Sequence, residues 1–198
     1  MADLSWWTGI DPTDWKTMWQ RTIGCDDENP EITARDAAVV LDGIPPGDRV
    51  LEIGSGVGRL LKPMFDRFRF AFGVDVSPTL VRMSREYLRK YPQAYVEQGD
   101  GYTLPFHEEW FDFVFSVVVF HHMPTLEMVQ SNLKEAYRVL RPGGLCRIQT
   151  IPRVNDGYQF PDRFAFAAEF VKVGFDLVSL EEGLTHESHL WITAMKPE

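Results

Sequence analysis

From residue 49 onward, short apolar runs alternate with amphipathic stretches along the chain. This alternation is typical of a parallel β-sheet covered by helices, because the strands of such a sheet are buried on both faces while each helix buries only one stripe. The apolar runs predict five strands, at Arg49–Ile53, Phe70–Val74, Ala94–Glu97, Phe111–Ser116 and Leu145–Ile151. The stretches between them predict three helices, over Gly58–Arg69, Thr79–Lys90 and Leu126–Leu140.

The pattern continues beyond the fifth strand. A helix is predicted near Asp162–Val173, followed by two further apolar runs at Phe175–Leu180 and His189–Met195. Because a short connection joins these two runs, we expect them to pair as antiparallel neighbours. The prediction is therefore an α/β fold with a seven-stranded, mostly parallel sheet and one reversed strand at its end.

The first 48 residues carry most of the tryptophans and one predicted helix, Glu31–Leu41; the tryptophans are Trp6, Trp7, Trp15 and Trp19. Trp15 and Trp19 are four residues apart, so they share one face of a second possible helix. Two interpretations stay open for them, an aromatic lid over a bound ligand and burial against the edge of the sheet.

Composition limits the range of functions. The chain has 198 residues, 44% of them hydrophobic, which suits one domain. A net charge of -9 argues against nucleic acid as a partner, and a basic cluster at helical spacing is interpreted as a solvated helix face, Arg82, Arg85, Arg89 and Lys90. Two cysteines, Cys25 and Cys146, and the lack of a signal-like N-terminus or an apolar run of about 18 residues predict a cytoplasmic protein without membrane contact.

The stretch V-L-E-I-G-S-G-V-G-R-L, Val50 to Leu60, places a glycine turn between a strand and the next predicted helix. A second predicted strand is then followed by an acid, Asp75. This arrangement binds nucleosides, because glycines let a ligand approach the backbone and the acid accepts hydrogen bonds from ribose hydroxyls. The dinucleotide fingerprint is G-x-G-x-x-G, whereas the spacing here is G-x-G-x-G, which argues against an NAD-dependent reductase. An alternative is that Asp75 only caps the following helix.

Glu52 distinguishes further between ligands. A carboxylate beside the glycine turn disfavours a pyrophosphate but stabilises an ammonium or sulfonium group. S-adenosylmethionine carries both of these cations together with a ribose diol and an adenine. The alternative is that Glu52 is a solvated strand end.

The sequence resembles the class I S-adenosylmethionine-dependent methyltransferases. V-L-E-I-G-S-G-V-G is similar to the first motif of that family, and G-V-D-V-S, Gly73 to Ser77, is similar to its second strand. E-Q-G-D-G, then L-P-F with F-D-F-V-F-S-V-V-V-F-H-H-M, and then L-R-P-G-G-L follow in the family's order. The resemblance covers Val50 to about Ile151 and implies a Rossmann-like three-layer sandwich. It also implies one domain over residues 1–198, in which 1–48 is a helical segment covering the substrate and 49–198 is the cofactor-binding core.

The resemblance also implies contacts with the cofactor. The methionine end would lie against the glycine turn, with Glu52 near its ammonium group; the turn residues are Gly54, Ser55, Gly56 and Gly58. Asp75 would accept from the ribose diol and Val76 would pack beside the adenine. Asp100 would accept from the adenine amino group beside Gly101, although G-D-G is also typical of a plain turn, and the Ser116 carbonyl would contact the ammonium again.

His121 and His122 follow the fourth strand, where the methyl acceptor should lie. A histidine there could take a proton from a hydroxyl or an amine, or it could only shape the pocket. The expected substrate pocket also includes Trp15, Trp19, Tyr158 and Phe160, and these aromatics favour an apolar or aromatic small molecule. O- or N-methylation is preferred, with S-adenosylhomocysteine as the product.

Other sites and functions receive less support. The remaining histidines lack ligand spacing, so no metal is expected; they are His107, His186 and His189. A protein or peptide methyltransferase is the alternative function, and a nonenzymatic domain that binds an adenosyl ligand or a partner is the alternative class. The oligomeric state, monomer or homodimer, stays open.

Overall fold

The structure is a computed structural model that describes residues 9, 13–23, 28–154, 159–160 and 162–198. Its main feature is one seven-stranded sheet with the order β3-β2-β1-β4-β5-β9-β8. The strands are β1 Gly47–Ile53, β2 Phe68–Asp75, β3 Ala94–Gln98, β4 Phe111–Ser116, β5 Leu140–Thr150, β8 Asp176–Glu182 and β9 Leu190–Met195. A separate two-stranded ribbon consists of β6 Arg153–Val154 and β7 Gln159–Phe160.

Strand direction confirms the predicted mostly parallel sheet. β1 to β5 pair in parallel, whereas β9 is antiparallel to both β5 and β8. The reversed strand is β9, and it lies one position inside the edge of the sheet, because β8 pairs only with β9.

The described helices are α1 Trp15–Ile23, α2 Pro30–Leu41, α3 Leu61–Met64, α4 Pro78–Tyr87, α5 Leu126–Val139 and α6 Arg163–Val173, with a short 3₁₀-helix at Phe120–His122. Five of them begin at a side chain that accepts from backbone N–H groups of the first turn, namely Asp14, Asn29, Ser77, Thr125 and Asp162. Such caps satisfy donors that have no partner within the helix, so the sequence fixes where these helices start. None of the helices in the described part of the chain is long and apolar enough to cross a membrane.

The predicted helix over Gly58–Arg69 is wrong, because only the four residues of α3 are helical. A helix starting at residue 58 would place Pro63 in its interior, where the missing N–H and the ring disrupt the hydrogen bonding. Starting at Leu61 instead places Pro63 in the first turn, where no N–H is needed. Turns then lead directly into β2, which pairs Phe68 with Gly47.

The core lies on both faces of the sheet. Neighbouring residues of a strand point to opposite faces, and Val50 and Leu51 accordingly belong to different hydrophobic clusters. Leu51 shares its cluster with residues of α5 and α6, such as Leu133 and Phe170. Val50 shares its cluster with residues of α2, α3 and α4. The arrangement is the predicted three-layer sandwich.

Helix α2 is fixed to the sheet by a buried arginine. Arg147 of β5 donates through Nη1 to the carbonyl oxygens of Val39, Val40 and Asp42, at 2.6, 3.1 and 2.8 Å. Its Nε donates to Thr193 Oγ1 of β9 at 2.8 Å, and burial lowers the pKa of its guanidinium group. Because the last carbonyls of a helix have no partner within the helix, this side chain satisfies the end of α2 and holds it in the covering layer.

Candidate cofactor and acceptor site

A cavity opens at the carboxyl ends of β1, β2 and β4. The chain order along the sheet reverses between β1 and β4, and ligands of open α/β sheets bind in the crevice at such a point. The cavity is lined by residues 52–57, 59–60, 74–76, 80, 99, 101, 103–104, 117–119, 122–123, 128 and 132. Glu52, Asp75 and Val76 therefore lie around one cavity, together with Gly54, Ser55 and Gly56 of the glycine turn. Gly58, also predicted to contact the cofactor, is not a lining residue, and a side chain at this position would meet Leu88 and Ser84.

The glycine turn is folded back onto the end of β2. The amides of Gly54 and Ser55 both donate to the Val74 carbonyl, at 2.8 and 3.0 Å. Gly54 has φ +73°, and a Cβ atom added there would lie 2.4 Å from Val119 Cγ2. A side chain at Gly54 would meet both backbone strain and a clash, so the turn requires glycine at this position.

Asp75 connects the glycine turn after β1 with the residue that caps α4. Its Oδ2 accepts from the Gly56 amide and its Oδ1 from the Ser77 amide, each at 2.9 Å. Burial raises the pKa of Asp75, and these backbone hydrogen bonds oppose the rise. The alternative role as a helix cap belongs to Ser77, whose Oγ accepts from the Leu80 amide.

Glu52 is a buried carboxylate with an unsatisfied oxygen. The residue is only 4% exposed, so the alternative of a solvated strand end is wrong. Its Oε2 is buried and has no hydrogen-bond partner among the residues that the structure describes. Burial raises the pKa of Glu52 well above its usual range, Arg59 opposes the rise and Asp75 adds to it. A carboxylate in this position is suited to receive a cationic ligand group.

Arg59, which the sequence analysis does not assign, also lines the cavity. Its Nη2 lies 2.7 Å from Asp36 Oδ2 of α2, and both side chains are buried. Its Nη1 is buried without a hydrogen-bond partner within the described part of the chain. The only sequence signal is its place directly after the third glycine, because the partner Asp36 lies 23 residues away.

The loop after β3 holds Asp100 and Gly101 in different ways. The Asp100 carboxylate accepts from the amides of Tyr102 and Thr103, at 2.8 and 2.7 Å, and from Thr103 Oγ1 at 2.9 Å. These bonds lower the pKa of Asp100, which is not one of the cavity-lining residues. Gly101 does line the cavity, and its carbonyl accepts from Asn132 Nδ2 at 2.6 Å. The structure thus shows the turn role of Asp100, and its contact with adenine stays a prediction.

The segment after β4 forms another wall. Ser116 is fully buried and its Oγ donates to the Ile53 carbonyl at 2.8 Å, which ties the ends of β4 and β1 together. Val118 lines the cavity with φ +61°, a conformation that β-branched residues rarely adopt. Its amide donates to Oε1 of the fully buried Gln149 at 2.5 Å, a bond that sequence reasoning did not predict.

The two histidines occupy different environments. Both lie in the 3₁₀-helix, with ring centroids 4.2 Å apart. His122 is exposed and lines the cavity, whereas His121 is 3% exposed and is not a lining residue. His122 therefore borders the cavity in which an acceptor would lie, whereas His121 does not. The predicted roles of the two rings, as acceptor contacts or as bases, stay predictions.

Of the four aromatic side chains predicted to form the substrate pocket, the structure describes only that of Trp19. Trp19 is 5% exposed and packs with Met18, Val57, Leu80 and Met83. Because Val57 and Leu80 line the cavity, this cluster supports the cavity wall from behind. The side chains of Trp15, Tyr158 and Phe160 lie outside the described part of the structure.

Other lining residues were not predicted from the sequence. They come from loops and from α5, and they include Thr103, Leu104, Val117, Met123, Met128 and Asn132. The sequence could have indicated Asn132, because this amide lies on the apolar face of a predicted helix. Buried amides need hydrogen-bond partners, so an amide at such a position is unusual. Within the described residues, no group of three or more His, Cys, Asp or Glu side chains is placed to hold a metal ion.

The sheet order, the glycine turn and the acid at the end of β2 together define a nucleoside-binding protein of the Rossmann-like class. Comparisons with known proteins narrow this class. The family described as "Methyltransferase domain" matches residues 51–148. The chain belongs to the class I S-adenosylmethionine-dependent methyltransferases.

Three similar proteins illustrate the match. An uncharacterized methyltransferase of Synechocystis sp. is 29% identical over 141 residues, which cover 71% of this chain and 65% of that protein. The 2-methyl-6-phytyl-1,4-hydroquinone methyltransferase of the same organism is 33% identical over 106 residues, 53% of this chain and 32% of that protein. The chain thus spans less than two thirds of both relatives. A methyltransferase structure from Aquifex aeolicus has a TM-score of 0.71 at 20% identity, covers 94% of this chain and 99% of that chain, and confirms the fold.

Proposed function

We propose that this protein transfers a methyl group from S-adenosylmethionine to a small-molecule acceptor, with an oxygen or nitrogen atom as the preferred methylation site. The observation that carries the proposal is the buried, unsatisfied carboxylate oxygen of Glu52, a residue that lines the cavity beside the glycine turn. A buried charge without a partner is costly, and a cationic ligand group supplies the missing partner. When bound, S-adenosylmethionine supplies a methyl group activated by its positively charged sulfur.

The chain's own residues fit each end of that cofactor. Glu52 would face the ammonium group, together with the Ser116 carbonyl at the end of β4. Asp75 keeps free acceptor capacity beyond its two backbone bonds, because each carboxylate oxygen has two lone pairs, and it would bind the ribose diol. Val76 and Gly101 would border the adenine, with Asp100 as its predicted hydrogen-bond acceptor.

Positioning accounts for much of the proposed chemistry. An acceptor atom held against a reactive methyl group gains rate mainly from proximity and orientation. Valine and methionine side chains line the cavity next to the turn, and an apolar wall of this kind would help exclude water once both ligands are bound. His122 is the better placed of the two histidines to contact the acceptor or to take its proton, because it lines the cavity.

The lining of the cavity and one relative support the proposed class of acceptor. The apolar lining suits an apolar or aromatic small molecule, and one relative is named as a hydroquinone methyltransferase. The net charge of -9 does not favour nucleic acid. A protein or peptide acceptor is the second candidate, because a side chain presented at the open end of the same cavity would meet the same residues. The buried thiol of Cys146 agrees with the proposed cytoplasmic location.

Calorimetric titration tests the cofactor. The purified protein is titrated with S-adenosylmethionine, S-adenosylhomocysteine and NADH, and the titrations are repeated with Asp75→Ala. We expect saturable binding of the two adenosyl ligands, lost in the variant and absent for NADH. Tight NADH binding without adenosyl binding would overturn the proposal. Turnover of labelled cofactor with a panel of phenols, quinols, amines and peptides then separates an enzyme from a nonenzymatic binding domain.

A further inference from the structure

Two oppositely charged residues line the cavity, and each has a buried, unsatisfied atom. Glu52 offers a buried Oε2 and Arg59 a buried Nη1, and neither atom has a hydrogen-bond partner among the described residues. The two groups are close enough for Arg59 to lower the pKa of Glu52 by its charge. Buried polar atoms are nearly always paired in folded proteins, so two orphans of opposite sign in one cavity indicate a ligand that brings both signs.

An α-amino acid supplies such a pair, since its ammonium and carboxylate groups are bonded to the same carbon atom. Glu52 can accept from the ammonium group, and Arg59 can donate to the carboxylate in the charge-assisted geometry that guanidinium groups favour. The glycine turn lies between the two residues in sequence, and three of its residues have positive φ angles, namely Gly54, Gly56 and Gly58.

Arg59 is held in place from outside the cavity wall. Its Nη2 lies 2.7 Å from Asp36 Oδ2, and this pair is buried, with side-chain exposures of 9% and 7%. The other oxygen, Asp36 Oδ1, pairs with Arg35, whose side chain is 52% exposed. One carboxylate on α2 thus anchors one nitrogen of Arg59 and leaves Nη1 for a ligand.

We propose that Arg59 binds the carboxylate of the amino-acid end of the cofactor, opposite Glu52, and that Asp36 is its positioning residue. The inference rests on the proposed function, because it assigns a further part of the same cofactor site. It also gives the N-terminal segment a role in cofactor binding, since Asp36 lies on α2.

Ligands that lack one group at a time test this assignment by calorimetry. S-adenosylmethionine carries both groups, its decarboxylated analogue carries only the ammonium group, and 5′-methylthioadenosine carries neither. We expect Arg59→Gln to weaken S-adenosylmethionine about 10- to 100-fold and to leave the other two ligands unchanged. Glu52→Gln should weaken both ammonium-containing ligands and leave 5′-methylthioadenosine unchanged.

Arg35→Gln is the matched control. This substitution removes the other arginine that pairs with Asp36, and the side chain of that arginine is exposed. All three affinities should therefore stay as in the wild type. Asp36→Asn should weaken only S-adenosylmethionine, and Asp36→Glu should restore part of the loss because it keeps the charge. This selective effect distinguishes positioning of Arg59 from a general structural role.

The outcomes separate the two proposals. If the wild type binds none of the adenosyl ligands, the proposed function fails and the inference falls with it. If the wild type binds them but Arg59→Gln weakens all three equally, or none, the carboxylate assignment is overturned while the proposed function stands. Should Arg59→Gln not fold, Arg59→Lys retains the buried positive charge, and the same selective loss for S-adenosylmethionine is expected in smaller measure.

Discussion

The Gly56 amide donates to Asp75 Oδ2 at 2.9 Å, and this bond fastens the glycine turn after β1 to the end of β2. The other oxygen of Asp75 accepts from the Ser77 amide directly before α4. One side chain therefore sets the distance between two loops that border the cavity. A residue predicted to bind the ligand therefore also maintains the shape of the site.

Asp75→Asn should affect both stability and binding. Asparagine keeps one carbonyl oxygen, so one of the two buried amides loses its acceptor, and the free energy of unfolding should fall by about 1–3 kcal/mol. The affinity for S-adenosylmethionine should fall at least about tenfold. Urea denaturation and calorimetry measure the two effects. Asp66→Asn, at an exposed site, is the control, and unchanged affinity in Asp75→Asn would contradict the ribose assignment.

Gly54→Ala should destabilise the protein more than an alanine at another positive-φ glycine. Gly183 has φ +79° and open space around it, so Gly183→Ala carries only the conformational cost of about 1–2 kcal/mol. At Gly54 the added methyl group also meets Val119, and the cost should exceed this value. Thermal denaturation compares the two variants. Adding Val119→Ala should recover the excess, and equal effects of the two glycine substitutions would contradict the steric argument.

Glu52→Gln should stabilise the ligand-free protein at neutral pH while weakening cofactor binding. The substitution removes the cost of an unsatisfied buried carboxylate, and we expect a gain of about 1–2 kcal/mol in the free energy of unfolding. Urea denaturation at pH 7 measures the gain. A loss of stability in this variant would show that the carboxylate is satisfied in the folded protein.

The same substitution predicts a pH dependence. The pKa of Glu52 is raised in the folded state, so the folded protein holds its proton to higher pH than the unfolded chain does. The stability of the wild type therefore decreases, as far as Glu52 contributes, as pH rises from about 4.5, the usual value, through the raised pKa. The difference between Glu52→Gln and the wild type should be small near pH 4.5 and grow toward neutral pH. A difference that is constant with pH would contradict the assigned direction.

The two histidines should respond differently to substitution. His122→Ala should lower kcat/KM for the acceptor, because this ring lines the cavity. The affinity for S-adenosylmethionine should stay unchanged, because the proposed function gives this ring a contact with the acceptor and none with the cofactor. If the ring is the base, His122→Asn should lower kcat by about 100-fold or more and flatten the pH–rate profile near neutrality. His121→Ala should mainly reduce stability, by about 1–3 kcal/mol, because this ring is buried. Equal kinetic effects of both substitutions would contradict this division.

Gln149→Leu should disturb the cavity from a distance. It removes the acceptor of the Val118 amide, and Val118 already holds a rare backbone conformation. We expect a loss of about 1–3 kcal/mol in the free energy of unfolding and weaker cofactor binding. Gln149→Glu keeps an acceptor oxygen and should retain more of the affinity. Wild-type affinity in Gln149→Leu would show that Val118 does not depend on this bond.

Features with a local cause were predictable from the sequence. Buried parallel strands appear as apolar runs, and the turn at Gly54 and the acid at Asp75 lie next to the ends of such runs. The failed helix over Gly58–Arg69 also had a local signal, since Pro63 disfavours it. The family resemblance added the three-layer sandwich and the expected contacts with the cofactor.

Pairings between distant residues could not be predicted in the same way. Asp36 and Arg59 are 23 residues apart, and Val118 and Gln149 are 31 apart, with no shared periodicity. Such contacts depend on which layers the chain brings together, and a single sequence does not encode them in a local pattern. Asp100 shows a further difficulty, because a G-D-G sequence suits both a ligand contact and the turn that its hydrogen bonds form.

The position of β9 has a consequence for how the chain assembles. β8 is synthesised before β9, yet it can join the sheet only through β9. During synthesis, β8 must therefore wait with an unpaired backbone. Its side chains Leu177 and Val178 are exposed even in the folded protein. The sheet from β3 to β5 can form beforehand, because its contacts lie earlier in the chain. Folding should thus end with one coupled step, in which β9 pairs with β5 and with the edge strand β8. Aggregation is most favoured just before that step.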